Sequence, residues 1–191
     1  MARVLLGVTG SVAAIKTPAL FEELGQAGHS VRVVATQAAL YFFDSSPLGN
    51  ALYCDADEWP GERYQRGDPV LHIELRRWAD LLLIAPLDAN TLAKLAAGLA
   101  DNCLTCIYRA WDPARPIVVA PAMNTLMWEH PLTARHLNAL TFDGLPLPRI
   151  VGPITKQLAC GDVGIGAMAE PAEIVRAVQE VLERFPVTTR P

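Results

Sequence analysis

The sequence predicts an α/β protein, a doubly wound and mostly parallel sheet in one domain over residues 1–191. Three observations lead there. Short apolar runs recur at residues 4–8, 31–35, 81–85 and 117–120, and each is followed by a turn signal and a helical pattern. The runs are apolar at successive positions rather than alternating, as strands buried under helices on both faces must be. Each run also ends in polar or turn-forming residues. Strand and helix alternating in this way calls for right-handed crossovers and a Rossmann-like sheet.

The elements follow in order. After the first strand, residues 12–27 read as a helix stopped by Gly28, with Pro18 expected to kink it or delay its regular start. A short helix is expected at 37–43 after the second strand. Residues 91–97 before Gly98, and 102–110 after a possible Asp101 cap, give two more. Residues 172–185 form a last helix behind Pro171, a residue suited to a first turn. Two stretches, 44–70 and 141–170, are rich in Pro, Gly and Asp and fit no element; segments of that length in a compact domain are lids or binding loops.

Composition narrows the function. Of 191 residues, 51% are hydrophobic and 19% charged, below the usual charged share of about 25%, so a large core and some apolar surface facing another subunit are expected. Lys and Arg number 16 against 20 Asp and Glu, a net charge of −4 without a basic run, which argues against nucleic acid or an anionic membrane. No apolar run reaches the roughly 20 residues that span a bilayer, and the start is interrupted by Gly7, Thr9, Gly10 and Ser11, unlike a secretory signal. Cys54, Cys103, Cys106 and Cys160 make no disulfide framework and suit a reducing cytoplasm.

In an open α/β sheet, ligands bind beyond the carboxyl ends of the strands. The residues there are Thr9-Gly10-Ser11, Thr36, the segment from Pro86 to Thr91, and Pro121 to Asn124. Gly10-Ser11 opening a helix offers backbone N–H groups, a hydroxyl and a positive dipole end, suited to a phosphate; a plain turn and N-cap is the other reading of the same residues. A dinucleotide would want G-x-G-x-x-G and an acid after the second strand. The chain has GVTGS and Ala35-Thr36, so a mononucleotide fits better. There is no G-x-x-x-x-G-K-[ST], and no G-x-S-x-G elbow.

Four segments then carry a resemblance: GVTGSVAAIK at 7–16, APLDANT at 85–91, PAMNTLMW at 121–128 and LACGDVGIGAMAE at 158–170. Together they resemble the flavin-dependent cysteine decarboxylases over residues 3–170, and P-x-M-N-x-x-M-W is the most specific piece. The resemblance implies a flavoprotein that binds FMN and assembles as a homotrimer, or a multimer of trimers, with the flavin at a subunit boundary. It implies FMN contacts at Gly10, Ser11, Val12, Ala13, Thr36, Asp88, Ala89, Asn90, Thr91 and Ala122. It implies His72 as catalytic base, Asn124 and Met127 as substrate-binding residues, and Cys160 as proton donor on a substrate flap around 152–170. Asp88 replaces a small Ser often found there, which leaves its side-chain role open.

The implied activity is oxidative decarboxylation of a terminal cysteine carboxylate. Its leading substrate is 4'-phosphopantothenoylcysteine, giving 4'-phosphopantetheine for coenzyme A; the rival is the C-terminal cysteine of a ribosomally made peptide, leaving an aminoenethiol. A non-catalytic flavin-binding regulatory subunit and flavin prenyl transfer are further alternatives. His72 with Cys160 argues against the first of these, and P-x-M-N-x-x-M-W against the second. By default, without the resemblance, His72 between Leu71 and Ile73 is a packing residue, Asn124 a helix cap and Met127 a core filler. Cys103 and Cys106 form one C-x-x-C without a second ligand pair, so no metal is expected. The acid run Asp55-Ala56-Asp57-Glu58 reads as solvated loop.

Overall fold

Six parallel strands form the central sheet in the order β3-β2-β1-β4-β5-β6: β1 Arg3–Val8, β2 Ser30–Ala35, β3 Leu52–Cys54, β4 Leu81–Leu87, β5 Ile117–Pro121 and β6 Arg149–Ile150. The computed structural model describes residues 1–140, 148–157, 161 and 163–185. The order reverses direction at β1, which pairs with β2 on one side and β4 on the other, so the chain winds helices onto both faces. Every residue of β4 is buried, which is why it reads as an unbroken apolar run.

Two cores result. On one face α1 (Thr17–Gln26) and α8 (Pro171–Arg184) pack Leu20, Leu24, Ile174 and Val178 against Val4, Leu6 and Val8. On the other, α3 (Leu71–Trp78), α4 (Ala89–Ala97) and α5 (Cys103–Arg109) pack Leu75, Leu92 and Leu104 against Leu5, Leu82 and Ile84. The remaining helices are α2 (Asp55–Glu58), α6 (Thr125–Glu129) and α7 (Pro131–Ala139). An antiparallel hairpin, β7 (Ile154–Gln157) with β8 (Val163–Ala167), stands apart from the sheet. No described helix is long and apolar enough to cross a membrane.

The four expected strands are all present, and the differences lie in the helices. Residues 12–27 split into a 3-10 turn over Val12–Lys16 and then α1, with Pro18 in its first turn: the proline delays the helix rather than kinking it. Residues 37–43 keep only a 3-10 turn, Ala39–Tyr41. Ala39 is buried there, and Leu40, Phe42 and Phe43 pack against the same core. The helix expected from 91 begins at Ala89, because Asp88 caps it by accepting the Thr91 N–H at 2.7 Å. Asn102, not Asp101, caps α5 through the Thr105 N–H at 2.9 Å; Asp101 instead holds Lys94 at 2.7 Å. The stretch 44–70 contains β3 and α2, and the stretch 141–170 contains β6 and the hairpin.

Candidate active site

The carboxyl ends of β2, β1, β4 and β5 bring Thr36, Thr9 to Ser11, Asp88 and Ala122 to Asn124 to one edge of the sheet. Thr9 fastens two of them: its hydroxyl donates to the Pro86 carbonyl at 2.8 Å and accepts the Asp88 N–H at 2.7 Å. The Ala122 N–H reaches the Leu87 carbonyl at 3.0 Å and ties β5 to β4. A Cβ on Gly10 would stand 2.7 Å from the Ala38 Cβ and 3.3 Å from Asp88 Oδ2, so only glycine lets these three strand exits close on each other.

Beside this edge lies a cavity of about 350 Å³, in the range of small-molecule sites. Ser11, Val12, Ala13 and Lys16 form one wall, Ala122, Met123 and Asn124 another, and Lys156 of β7 with Gly166 to Met168 a third. Ser11 is extended and its Oγ accepts the Ala13 N–H at 3.3 Å, starting the 3-10 turn. Lys16 and Lys156 share one carboxylate, Glu170, at 2.6 and 3.1 Å. The hydrogen bond from Lys16, then that from Lys156, holds the Glu170 carboxyl below its usual range.

Asn124 is the N-cap of α6, where its Oδ1 accepts the Leu126 N–H at 2.9 Å. The cap expected by default is thus present, and it also fixes the amide at the cavity wall. Oδ1 is the acceptor for the helix, and Nδ2 is the donor end of the amide. Met127 lies three residues on, half exposed, and does not line the cavity. The hairpin is docked here through its strand β8: the Met123 N–H donates to the Gly166 carbonyl at 2.9 Å, and a side chain on Gly166, at φ +146°, would overlap the Met123 carbonyl. A side chain on Gly164 would overlap Thr125 in the same way. Glycine at alternate positions of one short strand was the available sign of that close approach.

His72 stands elsewhere, in the first turn of α3 on the opposite face from α1 and α8. Its backbone N–H donates to Glu58 Oε2 at 2.8 Å, and its Nδ1 meets Glu58 Oε1 at 2.5 Å. Glu58 is buried, which corrects its reading as solvated loop acid. The run around it is also structural, since Asp55 accepts the Cys103 N–H at 3.0 Å and so takes up the first N–H of α5. Cys103 Sγ lies 3.6 Å from Glu58 Oε2, and burial, then the Glu58 charge, pushes its thiol far up, out of the range of a reactive cysteine.

Of the residues expected at the site, Ser11, Val12, Ala13, Ala122 and Asn124 line the cavity. Gly10, Thr36 and Asp88 to Thr91 lie at the adjoining strand ends, and His72 does not line it. Cys160 falls outside the described residues. Lys16, Lys156 and Glu58 were not expected: Lys16 closes the GVTGSVAAIK segment without a role assigned to it, Glu58 was read as solvated acid, and Lys156 gave no signal.

The model of the family described as Flavoprotein matches residues 1–183. A phosphopantothenoylcysteine decarboxylase of Oryza sativa subsp. japonica is 54% identical over 189 residues, covering 98% of this chain and 84% of the relative. A solved structure of a PPC decarboxylase mutant complexed with pantothenoylaminoethenethiol superposes with a TM-score of 0.86 at 53% identity, over 95% of this chain and 98% of its own. The FMN binding protein AtHal3 gives a TM-score of 0.83, also at 53% identity, over 96% of this chain and 97% of its own. The chain belongs to the Flavoprotein family, among its flavin-dependent cysteine decarboxylases, and is most like phosphopantothenoylcysteine decarboxylase.

Proposed function

We propose that the chain is an FMN-dependent carboxy-lyase that converts 4'-phosphopantothenoylcysteine to 4'-phosphopantetheine in coenzyme A biosynthesis. The observation that carries this reading is the cavity in which the Ser11–Ala13 loop and Asn124 face one another under the β7–β8 hairpin. Cofactor phosphate has its place at the Gly10 to Ala13 turn, where an extended Ser11 and the following backbone N–H groups open a helical segment. Thr36, the Asp88 to Thr91 turn and Ala122 complete the cradle at the neighbouring strand ends. Asp88 acts there as the cap of α4 rather than as a charge on the flavin.

When bound, FMN supplies the two-electron sink that oxidises the cysteine CH2–SH to a thioaldehyde before carboxylate loss, and it returns the pair afterwards. His72 is the base that takes the thiol proton. Asn124 donates an amide N–H to the substrate carboxylate, holding it without the full countercharge that would discourage its departure. Met127 belongs to the same substrate-holding helix. Cys160 is the acid that protonates carbon as the enethiolate is reduced.

His72 and Asn124 belong to different surfaces of one chain, and a homotrimer with the site at the subunit boundary brings them together. Apolar side chains around the cavity support that assembly: Val12, Ile15, Leu126 and Met127 are 50% to 77% exposed. The test is anaerobic mixing of FMN-loaded protein with phosphopantothenoylcysteine. Wild-type protein bleaches the flavin transiently, before the pair returns to the product; His72→Asn protein retains the flavin and does not bleach it. Colourless protein that cannot be reconstituted with FMN, or bleaching by His72→Asn at the wild-type rate, overturns the reading.

A further inference from the structure

We propose that Glu58 is the positioning residue that sets the tautomer of His72, so that Nε2 is the nitrogen that accepts the substrate proton. The inference rests on His72 being the base, as read above, and adds to it a residue that touches neither substrate nor cofactor. Glu58 is the fourth residue of α2, and its side chain is 5% exposed. Both of its oxygens are engaged. Oε2 accepts the His72 backbone N–H at 2.8 Å and lies 3.6 Å from the Cys103 thiol, while Oε1 meets His72 Nδ1 at 2.5 Å. A carboxylate accepts and does not donate, so the proton in the last contact sits on Nδ1. In the neutral ring Nε2 then carries the lone pair. The contact at the backbone N–H fixes where the ring starts and the contact at Nδ1 fixes how it is turned, as a carboxylate does for metal-bound and catalytic imidazoles.

The two-oxygen grip makes the consequence of one substitution definite. In Glu58→Gln only one oxygen remains, and the backbone N–H, which is a donor in every state, claims it together with the thiol. The amide NH2 then faces Nδ1 and donates to it. The ring is driven to the other tautomer, with its proton on Nε2, and the base is disabled without a change in the substrate pocket.

The experiment combines nitrogen-15 NMR of labelled holoenzyme with flavin bleaching, the His72 signals being identified by their loss in His72→Asn. Wild-type His72 should show a protonated Nδ1, and Glu58→Gln should show a protonated Nε2. The bleaching rate should fall on the order of 100-fold or more, with the half-saturating substrate concentration within about threefold of wild type. Glu58→Asp keeps two acceptor oxygens and should retain the wild-type tautomer with a smaller rate loss, so the idea is tested even if the glutamine variant folds poorly. In His72→Asn, adding Glu58→Gln should cost nothing more. A protonated Nε2 in the wild type, or a Glu58→Gln rate within about threefold of wild type while His72→Asn is inactive, overturns the role of Glu58 alone. Wild-type bleaching by His72→Asn removes the underlying reading instead.

Discussion

Replacing Asn124 by Asp separates its two jobs, because the substitution preserves one and reverses the other. Asn124 Oδ1 accepts the Leu126 N–H at 2.9 Å as the N-cap of α6, and Asp caps a helix as well as Asn does. The melting temperature of Asn124→Asp should therefore stay close to wild type. At the other end of the side chain, a donor becomes an acceptor. A charged hydrogen bond of about 1.5 to 3 kcal/mol is lost, and two carboxylates about 4 Å apart repel by about 4 kcal/mol at an effective dielectric of about 20, or about 1 kcal/mol if fully hydrated. The sum, about 2.5 to 7 kcal/mol, predicts a loss of substrate affinity of about 60-fold at least, at about 1.4 kcal/mol per tenfold. Asn124→Ser also keeps a cap and adds no charge, so it should lose only the hydrogen-bond part, about 10- to 150-fold. The assay is anaerobic bleaching against substrate concentration, with a thermal melt of each variant. Wild-type half-saturation in Asn124→Asp would refute the reasoning and move the carboxylate site elsewhere; a collapse of the melt with intact affinity would leave only the cap.

Three further outcomes are expected. Gly166→Ala should undock the β7–β8 hairpin, because φ +146° and the Met123 carbonyl leave no room for a methyl group; faster limited proteolysis within 154–167 and reduced substrate turnover would show it, and a wild-type digest would contradict it. His29 has no partner on either ring nitrogen among the described residues, and burial, then the N-terminal charge, holds its pKa below 6.5. The unfolded chain therefore binds the proton more readily, so stability is full above about pH 6.5 and falls as the pH drops toward the folded value; urea midpoints should decline over that window and flatten in His29→Leu. Cys160→Ser should still oxidise and decarboxylate the substrate but release material lighter by carbon dioxide plus two hydrogens, since a hydroxyl is a far weaker acid than a thiol of pKa about 8.5; product identical to the wild type would remove Cys160 from the return step.

The fold was legible where physics leaves little choice. β1, β4 and β5 are buried on both faces, as is the second half of β2, and such runs have no other common interpretation in a chain punctuated by Gly, Asp and Pro. β3 and β6 were not legible, because three or two residues at a sheet edge gain their conformation from the neighbouring strand and not from any pattern of their own. The strand-end residues Ser11, Ala122 and Asn124 could be located at the site because the topology of a doubly wound sheet dictates where ligands go. Glu58 could not. Its burial depends on α3 and α5 closing over α2, contacts with residues 14 and 45 positions away, and locally it sits among acids that look solvated. Asn124 shows a different limit: being a helix cap does not keep a residue from the cavity wall, since its amide oxygen serves the helix while the residue lines the cavity.

The mass of the product decides which substrate the protein decarboxylates. Purified protein loaded with FMN is incubated with phosphopantothenoylcysteine and, separately, with peptides ending in cysteine, and each mixture is followed by mass spectrometry. Phosphopantothenoylcysteine should become lighter by carbon dioxide alone, and the peptides should be unchanged. Turnover of the peptides to an oxidised aminoenethiol in place of phosphopantothenoylcysteine would contradict the assignment of substrate, and carbon dioxide loss from neither would contradict the decarboxylase itself.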